Sequence, residues 1–317
     1  MNTQTLNLIV AFFATLILGL LVVPRLKKLK VGQVVRDDGP QAHLKKNGTP
    51  TMGGIIMVLV LAVILGINAI HTPLLWLPVI VIVGFGIVGF IDDYKKLVKN
   101  NSEGLSPKFK LIGLFIVSAI FVVMYLNVFN LGKDIIIPFI NQPITLSTGI
   151  FIAFSIFILL ATGNAVNLTD GLDGLASGVV AIIMTFFTIM AIKYGDREMV
   201  ILGSSTVGTC LAFLIFNTHP AKVFMGDTGS IALGGAVASI AIILKMPLYL
   251  AIVAFVCILD TVSVILQVGY FKLTKGKRLF RMAPYHHHLE LGGLKETKIV
   301  LIFWVITAIL CLVAYFI

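Results

Sequence analysis

The chain has 317 residues, of which 58% are hydrophobic and 12% are charged, whereas soluble domains carry about 25% charged residues. This composition excludes an ordinary soluble domain and predicts one polytopic membrane domain over residues 1–317. The net charge of +10 does not predict nucleic-acid binding, because the basic residues lie between apolar runs and not on a soluble module. The first apolar run, Leu6 to Val23, lacks a basic leader and a cleavage site, so we expect a retained span.

Ten apolar runs approach the length of about 20 residues that a membrane-spanning helix needs. They predict spans at 5–23, 53–70, 74–91, 111–130, 148–163, 176–192, 199–216, 230–245, 249–270 and 298–316. Because a backbone inside a membrane must satisfy its own hydrogen bonds, these runs predict an all-α integral membrane bundle of ten helices.

Positive charge is distributed unequally between the two sides of this predicted bundle. The segments that follow the odd-numbered spans, together with Lys298 at the start of the last span, hold 20 of the 24 Lys and Arg residues. By the positive-inside rule these segments are cytoplasmic and both termini are outside. The predicted cytoplasmic loops cover about 24–52, 92–110, 164–175, 217–229 and 271–297.

Five carboxylates lie at the predicted cytoplasmic ends of three spans. They are Asp92, Asp93, Asp170, Asp173 and Asp227. Adjacent carboxylates repel one another unless a cation offsets them, and Mg²⁺ prefers oxygen ligands from one or two carboxylates together with water and phosphate. Helix capping explains any one of these motifs but not three of them on one face. The cluster therefore predicts a magnesium site that receives a phosphate-bearing substrate.

Residues 167–174 read Asn-Leu-Thr-Asp-Gly-Leu-Asp-Gly. The segment lacks the remaining alternating ligands and the terminal Glu of a calcium-binding EF-hand loop. The chain also contains no P-loop or dinucleotide-binding fingerprint. The glycines, Gly171 among them, instead suit close approach of the backbone to a bound nucleotide or sugar.

Basic and histidine side chains accompany the acidic cluster on the same predicted face. Lys46, Lys96 and Lys108 are candidates for phosphate binding, because phosphoryl transfer needs cations where negative charge accumulates. Contact with anionic lipid is the alternative for any one lysine. The run from His286 to His288 favours phosphate binding or proton transfer. Zinc is disfavoured because consecutive side chains point in different directions.

Two polar residues of the ninth predicted span are candidates for a function. Asp260 is a carboxylate within the membrane, so we expect it to face the bundle interior or a cavity. A structural hydrogen bond and a role in substrate binding both remain open for it. Gln267, two turns nearer the cytoplasm, is predicted to line the site.

Together these motifs resemble the phospho-N-acetylmuramoyl-pentapeptide transferases, a branch of the polyprenyl-phosphate N-acetylhexosamine-1-phosphate transferase superfamily. The resemblance covers nearly the whole chain, in residues 48–54, 92–93, 167–174, 224–230 and 283–290. The paired aspartates and the Asn-Leu-Thr-Asp-Gly motif are typical of the superfamily. Thr-Pro-Thr-Met-Gly-Gly and Pro-Tyr-His-His-His are similar to the muramoyl-pentapeptide branch.

The resemblance implies an enzyme that transfers phospho-MurNAc-pentapeptide from UDP-MurNAc-pentapeptide to undecaprenyl phosphate. The products are lipid I and UMP, and the reaction is the first membrane step of peptidoglycan biosynthesis. The resemblance further implies Mg²⁺ as cofactor, ten spans with both termini outside, and a homodimer. It places the protein in the bacterial cytoplasmic membrane with its active site facing the cytoplasm.

Residue roles also follow from the resemblance. Asp227 is implied as the magnesium ligand, Asp92 as the base or activator at the lipid phosphate, and Asp93 as its positioning partner. Phe224 is implied to stack on uracil. The implied substrate-binding residues are Lys46, Lys96, Lys108, Asn167, Asp170, Gly171, Asp173, Asn217, Phe224, Gln267, His286, His287 and His288. A single in-line displacement is favoured, and a two-step route through an aspartyl-phosphate stays open.

Three other functions compete with this interpretation. A sister transferase that uses UDP-N-acetylglucosamine shares the superfamily motifs but not the branch-specific ones. A secondary transporter predicts acidic residues near the membrane midplane, where Asp260 alone among the acids of interest is expected. A structural membrane protein predicts no clustering of acids from distant loops.

Overall fold

The computed structural model describes residues 3–28, 48–99, 104–140 and 142–317. Within these ranges the chain is mainly helical. The helices are α1 (Thr3–Lys28), α2 (Gly54–Ala69), α3 (Trp76–Lys99), α4 (Pro107–Asn127), α5 (Thr148–Thr169), α6 (Leu175–Tyr194), α7 (Arg197–Asn217), α8 (Gly226–Ile243), α9 (Leu250–Val253), α10 (Phe255–Leu273), α11 (Tyr285–Glu290) and α12 (Glu296–Phe316). Single 3₁₀ turns, Pro73–Leu75 and Pro247–Tyr249, precede α3 and α9.

Nine helices in the described ranges are long and apolar enough to cross a membrane. Each of them coincides with a predicted span, so the all-α membrane class is confirmed. The remaining predicted span, 53–70, forms α2, which has only 16 residues. At 1.5 Å per residue α2 is about 24 Å long, shorter than the hydrocarbon core of about 30 Å. Ten spans and outside termini therefore stay predictions.

Helices extend beyond the predicted spans at the end of the bundle that carries the acidic motifs. Helix α3 continues to Lys99, so Asp92, Asp93 and Lys96 lie on a helix and not in the predicted loop. Helix α5 continues to Thr169 and includes Asn167. The apolar runs used to predict the spans end at the first charged residues, whereas the backbone hydrogen bonds of the helices continue beyond them. The site residues are consequently held on rigid helical ends.

Helix α8 is the centre of the bundle, since 89% of it is buried. It packs against α3, α5 and α2. Small residues permit these approaches, as expected of helix packing in membranes. The backbone of Gly234 in α8 lies against Gly163 of α5, and Gly229 lies against Gly54 of α2. The acidic first turn of α8 is therefore fixed against three neighbouring helices.

A two-stranded hairpin lies at the other end of α8, where no strand was predicted. Strands β1 (Asp134–Ile136) and β2 (Pro143–Thr145) pair antiparallel. The Asp134 carboxylate accepts hydrogen bonds from Thr145 Oγ1 at 2.6 Å and from Lys245 Nζ at 3.0 Å. These donors lower the pKa of Asp134. The pair ties the hairpin to the turn that follows α8.

The ninth predicted span, 249–270, is divided in the structure. Helix α9 ends at Val253, and α10 begins at Phe255 after a break at Ala254, whose φ and ψ are −102° and 21°. Only 22% of the apolar window of α10 is buried, so much of this helix faces away from the bundle. Its buried residues include Asp260.

Candidate active site

Carboxylates from two helices meet at the acidic end of the bundle. Asp92 and Asp93 lie on α3 and Asp227 lies in the first turn of α8, and one oxygen from each lies within 4.8 Å of the others. A Cβ built on Gly89 of α3 would overlap the backbone carbonyl of Asp227. The helices can approach this closely because position 89 has no side chain, and that approach brings the three acids together.

Asp93 caps the N-terminus of α8. Its Oδ1 accepts the backbone N–H of Asp227 at 3.1 Å. Its Oδ2 accepts the backbone N–H of Thr228 at 2.9 Å and the Thr228 hydroxyl at 2.7 Å. A negative charge is stabilised at this end of a helix, where backbone N–H groups lack intrahelical partners. Asp93, which is only 4% exposed, therefore orients Asp227.

We expect Asp93→Ala to lower the free energy of unfolding by at least about 2 kcal/mol, because buried donors would lose their acceptor. Asp196→Ala is the matched control. Asp196 caps α7 through a single hydrogen bond, from Met199 N at 2.9 Å, and removing such a cap costs about 1 kcal/mol. Denaturant unfolding in detergent micelles measures both values. Equal destabilisation by the two substitutions would contradict the capping role of Asp93.

Two lysines neutralise the acidic cluster. Lys96 Nζ lies 2.6 Å from Asp92 Oδ2 and 3.0 Å from Asp227 Oδ2. Lys110 Nζ lies 2.8 Å from the same Asp227 oxygen and 3.4 Å from Asn167 Oδ1. Asn167 Nδ2 donates to the other Asp227 oxygen at 2.9 Å. Asp227 is thus the residue on which both lysines and the amide of Asn167 converge.

Lys110 was not among the predicted site residues, whereas Lys108 was. Lys108 is exposed in the first turn of α4. Lys110 lies four residues before Leu114 and eight before Ser118, both of which are buried, so it shares their face of the helix. The helical period of the buried positions was the signal that could have selected Lys110. Lys46, also predicted to bind phosphate, lies outside the described residues.

Asn217 joins two of the polar loops. Its Oδ1 accepts hydrogen bonds from Gly174 N and Ser177 Oγ, both at 3.1 Å. Its Nδ2 donates to the carbonyl of Val223 at 3.0 Å. Gly174 has φ of 80°, a left-handed conformation that favours glycine. Asn217, which is 2% exposed, therefore holds the loop before α6 against the loop before α8.

Asp173 is bound into the same region. Its Oδ2 accepts the backbone N–H of Ala221 at 3.0 Å and lies 3.0 Å from Nδ1 of His219. Its own backbone N–H donates to Glu296 Oε1 at 2.7 Å. This network fixes the turn between α5 and α6 to α12. His219 and Glu296 were not predicted, because they are distant from Asp173 in the chain.

Asp170 lies in the turn after α5. Burial raises the pKa of Asp170 well above its usual range, and the negative charges of Asp227, Asp93 and Asp173 add to this shift. Asp170 therefore lies within the electrostatic reach of the acidic cluster.

Phe224 lies between the motif at residues 48–54 and the first turn of α8. Its backbone N–H donates to the carbonyl of Pro50 at 2.8 Å, and its carbonyl accepts from Gly53 N at 2.9 Å. The side chain is partly exposed, so its ring is accessible for stacking. The paired backbones explain why two motifs far apart in sequence lie together.

The histidines have three different environments. His286 is fully buried, and its Nδ1 lies 3.0 Å from Oδ2 of Asp260. His287 Nδ1 lies 3.2 Å from Glu290 Oε2. His288 Nδ1 accepts the backbone N–H of Arg281 at 3.1 Å. Only His286 is closely packed against Gly171 in the turn after α5.

Gln267 shapes the segment that precedes these histidines. Its Oε1 accepts the backbone N–H groups of Leu279 at 3.1 Å and Phe280 at 2.8 Å. The ring of Phe280 in turn packs edge-on against Tyr285 and His288. In this structure the amide oxygen of Gln267 is thus used to fold the loop, and its predicted contact with substrate stays a prediction.

The site is a cluster of carboxylates and lysines at one end of an all-helical membrane bundle. A comparison of the sequence with known families agrees with this arrangement. The profile of glycosyl transferase family 4 matches residues 75–245. This defines the class as a membrane glycosyl transferase of that family. A signature described as phospho-N-acetylmuramoyl-pentapeptide-transferase signature 1 also matches residues 46–58.

Similar proteins identify the branch within this class. The chain is 50% identical to a phospho-N-acetylmuramoyl-pentapeptide-transferase of Acetivibrio thermocellus, over 97% of this chain and 93% of that protein. It is 48% identical to the enzyme of that name from Caldicellulosiruptor bescii, over 98% and 95%. It is 45% identical to the one from Clostridium novyi, over 99% and 97%. The chain belongs to the phospho-N-acetylmuramoyl-pentapeptide transferase family.

Proposed function

We propose that this chain transfers phospho-MurNAc-pentapeptide from UDP-MurNAc-pentapeptide to undecaprenyl phosphate and releases lipid I and UMP. The observation that carries the proposal is the convergence of Lys96 and Lys110 on Asp227, beside Asp92. Phosphoryl transfer depends on cations around the transferred phosphoryl group. The family membership supplies the identity of the two substrates.

The donor atoms of the cluster suit Mg²⁺, because carboxylate oxygens are the ligands that this ion prefers. Both oxygens of Asp93 accept hydrogen bonds from the N-terminus of α8. These contacts fit the positioning role proposed for Asp93, and Asp227, on which both lysines converge, is the proposed metal ligand. A bound Mg²⁺ would supply charge stabilisation at the diphosphate of the donor.

The proposed reaction is a single in-line displacement. An oxygen of the lipid phosphate forms a bond to the sugar-linked phosphorus, and the bond from that phosphorus to the bridging oxygen breaks. UMP leaves with the electron pair. Asp92 positions or activates the lipid phosphate, while Lys96 and Lys110 stabilise the charge that develops on the phosphate oxygens. A covalent aspartyl-phosphate route is the competing mechanism.

The proposed nucleotide pocket lies beside the acidic cluster. Phe224 would stack on uracil, and Asp170, Gly171 and Asp173 would line the ribose or base. Their support is their common position around the turn after α5 and the first turn of α8, which Asn217 joins. His287 and His288 would neutralise or position phosphates, and His286 would contact the nucleotide donor. Lys46 remains a proposed phosphate-binding residue. Lys110, which contacts Asp227, takes the phosphate-binding role that the sequence predicts for the exposed Lys108.

We further propose a ten-span arrangement in the bacterial cytoplasmic membrane, with both termini outside and the acidic cluster facing the cytoplasm. The excess of Lys and Arg in the segments at the acidic end supports this orientation. We expect a homodimer, as the family resemblance implies. Cysteine accessibility labelling at the hairpin and at the acidic end tests the orientation.

The function is tested with purified protein, undecaprenyl phosphate and UDP-MurNAc-pentapeptide, by following the release of UMP. Release is expected with Mg²⁺ and should fall to background when EDTA removes the metal, because the diphosphate then loses its main neutralising charge. As a control, excess Mg²⁺ is added after EDTA; recovery of UMP release shows that EDTA removed the metal and did not inactivate the protein. UMP release from UDP-N-acetylglucosamine alone would move the protein to the sister branch. Release that is unaffected by EDTA would contradict the metal site.

A further inference from the structure

Asp260 and His286 form a fully buried pair between α10 and the start of α11. Both side chains are 0% exposed. Asp260 Oδ1 accepts the backbone N–H of His286 at 3.2 Å, and Oδ2 lies 3.0 Å from Nδ1 of the same residue. A buried carboxylate is costly unless it is paired and hydrogen-bonded. Here one histidine supplies donors to both oxygens.

These two contacts determine which ring nitrogen carries a proton. A backbone N–H is always a donor, and an ionised carboxylate can only accept. Nδ1 must therefore be protonated to bond with Asp260 Oδ2. In the neutral imidazole, the free lone pair is then on Nε2.

Nε2 of His286 faces the turn after α5. It is buried and has no hydrogen-bond partner among the described residues, which is uncommon for a buried polar atom. A Cβ built on Gly171 would overlap this nitrogen. Gly171 covers this nitrogen with backbone atoms alone, so a hydrogen-bond donor of a ligand reaches Nε2 when this turn moves.

We propose that Asp260 is a positioning residue that holds His286 as its Nδ1–H tautomer, so that Nε2 accepts a hydrogen bond from an N–H or O–H group of the nucleotide donor. The identity of the ligand rests on the proposed function. The tautomer does not, because it follows from the contacts of Asp260. This assigns a role to the buried acid inside the membrane-spanning region.

Asp260→Asn is a sharp test because it preserves shape and changes hydrogen-bonding chemistry. The amide has one acceptor oxygen, and the backbone N–H of His286 requires it. The NH₂ group must then face Nδ1, which becomes an acceptor, and the proton moves to Nε2. A carboxylate-to-amide change that reverses a histidine tautomer is known to impair catalysis in serine proteases.

The tautomer is measured by ¹⁵N NMR of the full-length protein with labelled histidine, without substrate. The resonances of His286 are assigned by their loss in His286→Gln. Wild-type protein should show the Nδ1–H form and Asp260→Asn the Nε2–H form. Asp260→Glu keeps two acceptor oxygens and should retain the Nδ1–H form.

Steady-state kinetics of UMP release are measured for the same variants. Asp260→Asn should raise KM for UDP-MurNAc-pentapeptide at least about tenfold, because an Nε2–H donor replaces the acceptor. KM for undecaprenyl phosphate should change less than about twofold, since only the nucleotide contact is lost. Asp260→Glu should recover most of the nucleotide KM. Asp196→Asn, at the far end of α7, is the matched control, because asparagine caps a helix as well as aspartate.

An unchanged tautomer in Asp260→Asn would overturn the proposal, as would a reversed tautomer with an unchanged nucleotide KM. If Asp260→Asn does not fold, the tautomer and the nucleotide KM are measured for Asp260→Glu instead. Loss of the Nδ1–H form in that variant, without a change in the nucleotide KM, would overturn the proposal. Absence of UMP release by the wild-type protein would instead contradict the proposed function, and the NMR result would still test the positioning role.

Discussion

Asp227→Asn is expected to lower kcat for UMP release by at least about 10³-fold. A bound metal supplies several kcal/mol of charge stabilisation, and each 1.36 kcal/mol corresponds to a factor of ten. The amide keeps the shape of the side chain but removes the charge on which Lys96 and Lys110 converge. The variant therefore loses the proposed metal ligand and the anchor of both lysines.

Metal binding provides an independent readout of this variant. Mn²⁺ binding followed by electron paramagnetic resonance should weaken in Asp227→Asn in parallel with the loss of activity. Asp134→Asn is the control, because it makes the same chemical change in the hairpin at the other end of α8 and should leave kcat within about twofold. Retention of a tenth or more of kcat with unchanged Mn²⁺ affinity would contradict the assignment of Asp227.

Lys110→Met is expected to lower kcat by about 10²-fold, because removing one group that stabilises the transition state lowers kcat by about 10²–10³-fold. Lys108→Met should leave kcat within about twofold. Lys110 lies 2.8 Å from Asp227, while Lys108 is exposed. Methionine preserves the length of the side chain and its helix propensity in both variants. Any difference between them therefore reports on the position of the charge.

The two lysine variants are compared by steady-state UMP release at saturating concentrations of both substrates. Thermal unfolding of each variant controls for loss of folded protein. Equal losses in the two variants would indicate that positive charge near the membrane surface matters more than contact with Asp227. Loss in Lys108→Met alone would favour the phosphate-binding role that the sequence predicts for Lys108.

Asp92 and Asp93 are adjacent in the sequence but make different contacts in the structure. Both are buried, at 3% and 4% exposure. Successive residues on a helix point about 100° apart, so Asp93 turns to the N-terminus of α8 while Asp92 pairs with Lys96. The pair therefore combines a capping residue with a proposed reactive one.

The sequence alone determined the membrane class and the location of the nine described helices that are long and apolar enough to cross a membrane. Long apolar runs are a local property that the bilayer selects by length and by the need for internal backbone hydrogen bonds. The polar motifs could be found as well, because only 12% of the residues are charged and those at the ends of long apolar runs stand out. The family resemblance, carried by short contiguous motifs, was confirmed by the comparisons.

Only the tertiary structure decided which of these residues meet. Three contacts depend on how the helices cross: that of Lys110 with Asp227, the capping of α8 by Asp93, and the pairing of Asp260 with His286 across 26 positions. Those crossings are set by glycine contacts, such as Gly89 against Asp227, between segments far apart in the chain. Apolar runs and short motifs are properties of single segments and carry no information on how the helices pack. Contacts between distant segments are therefore seen only in the tertiary structure.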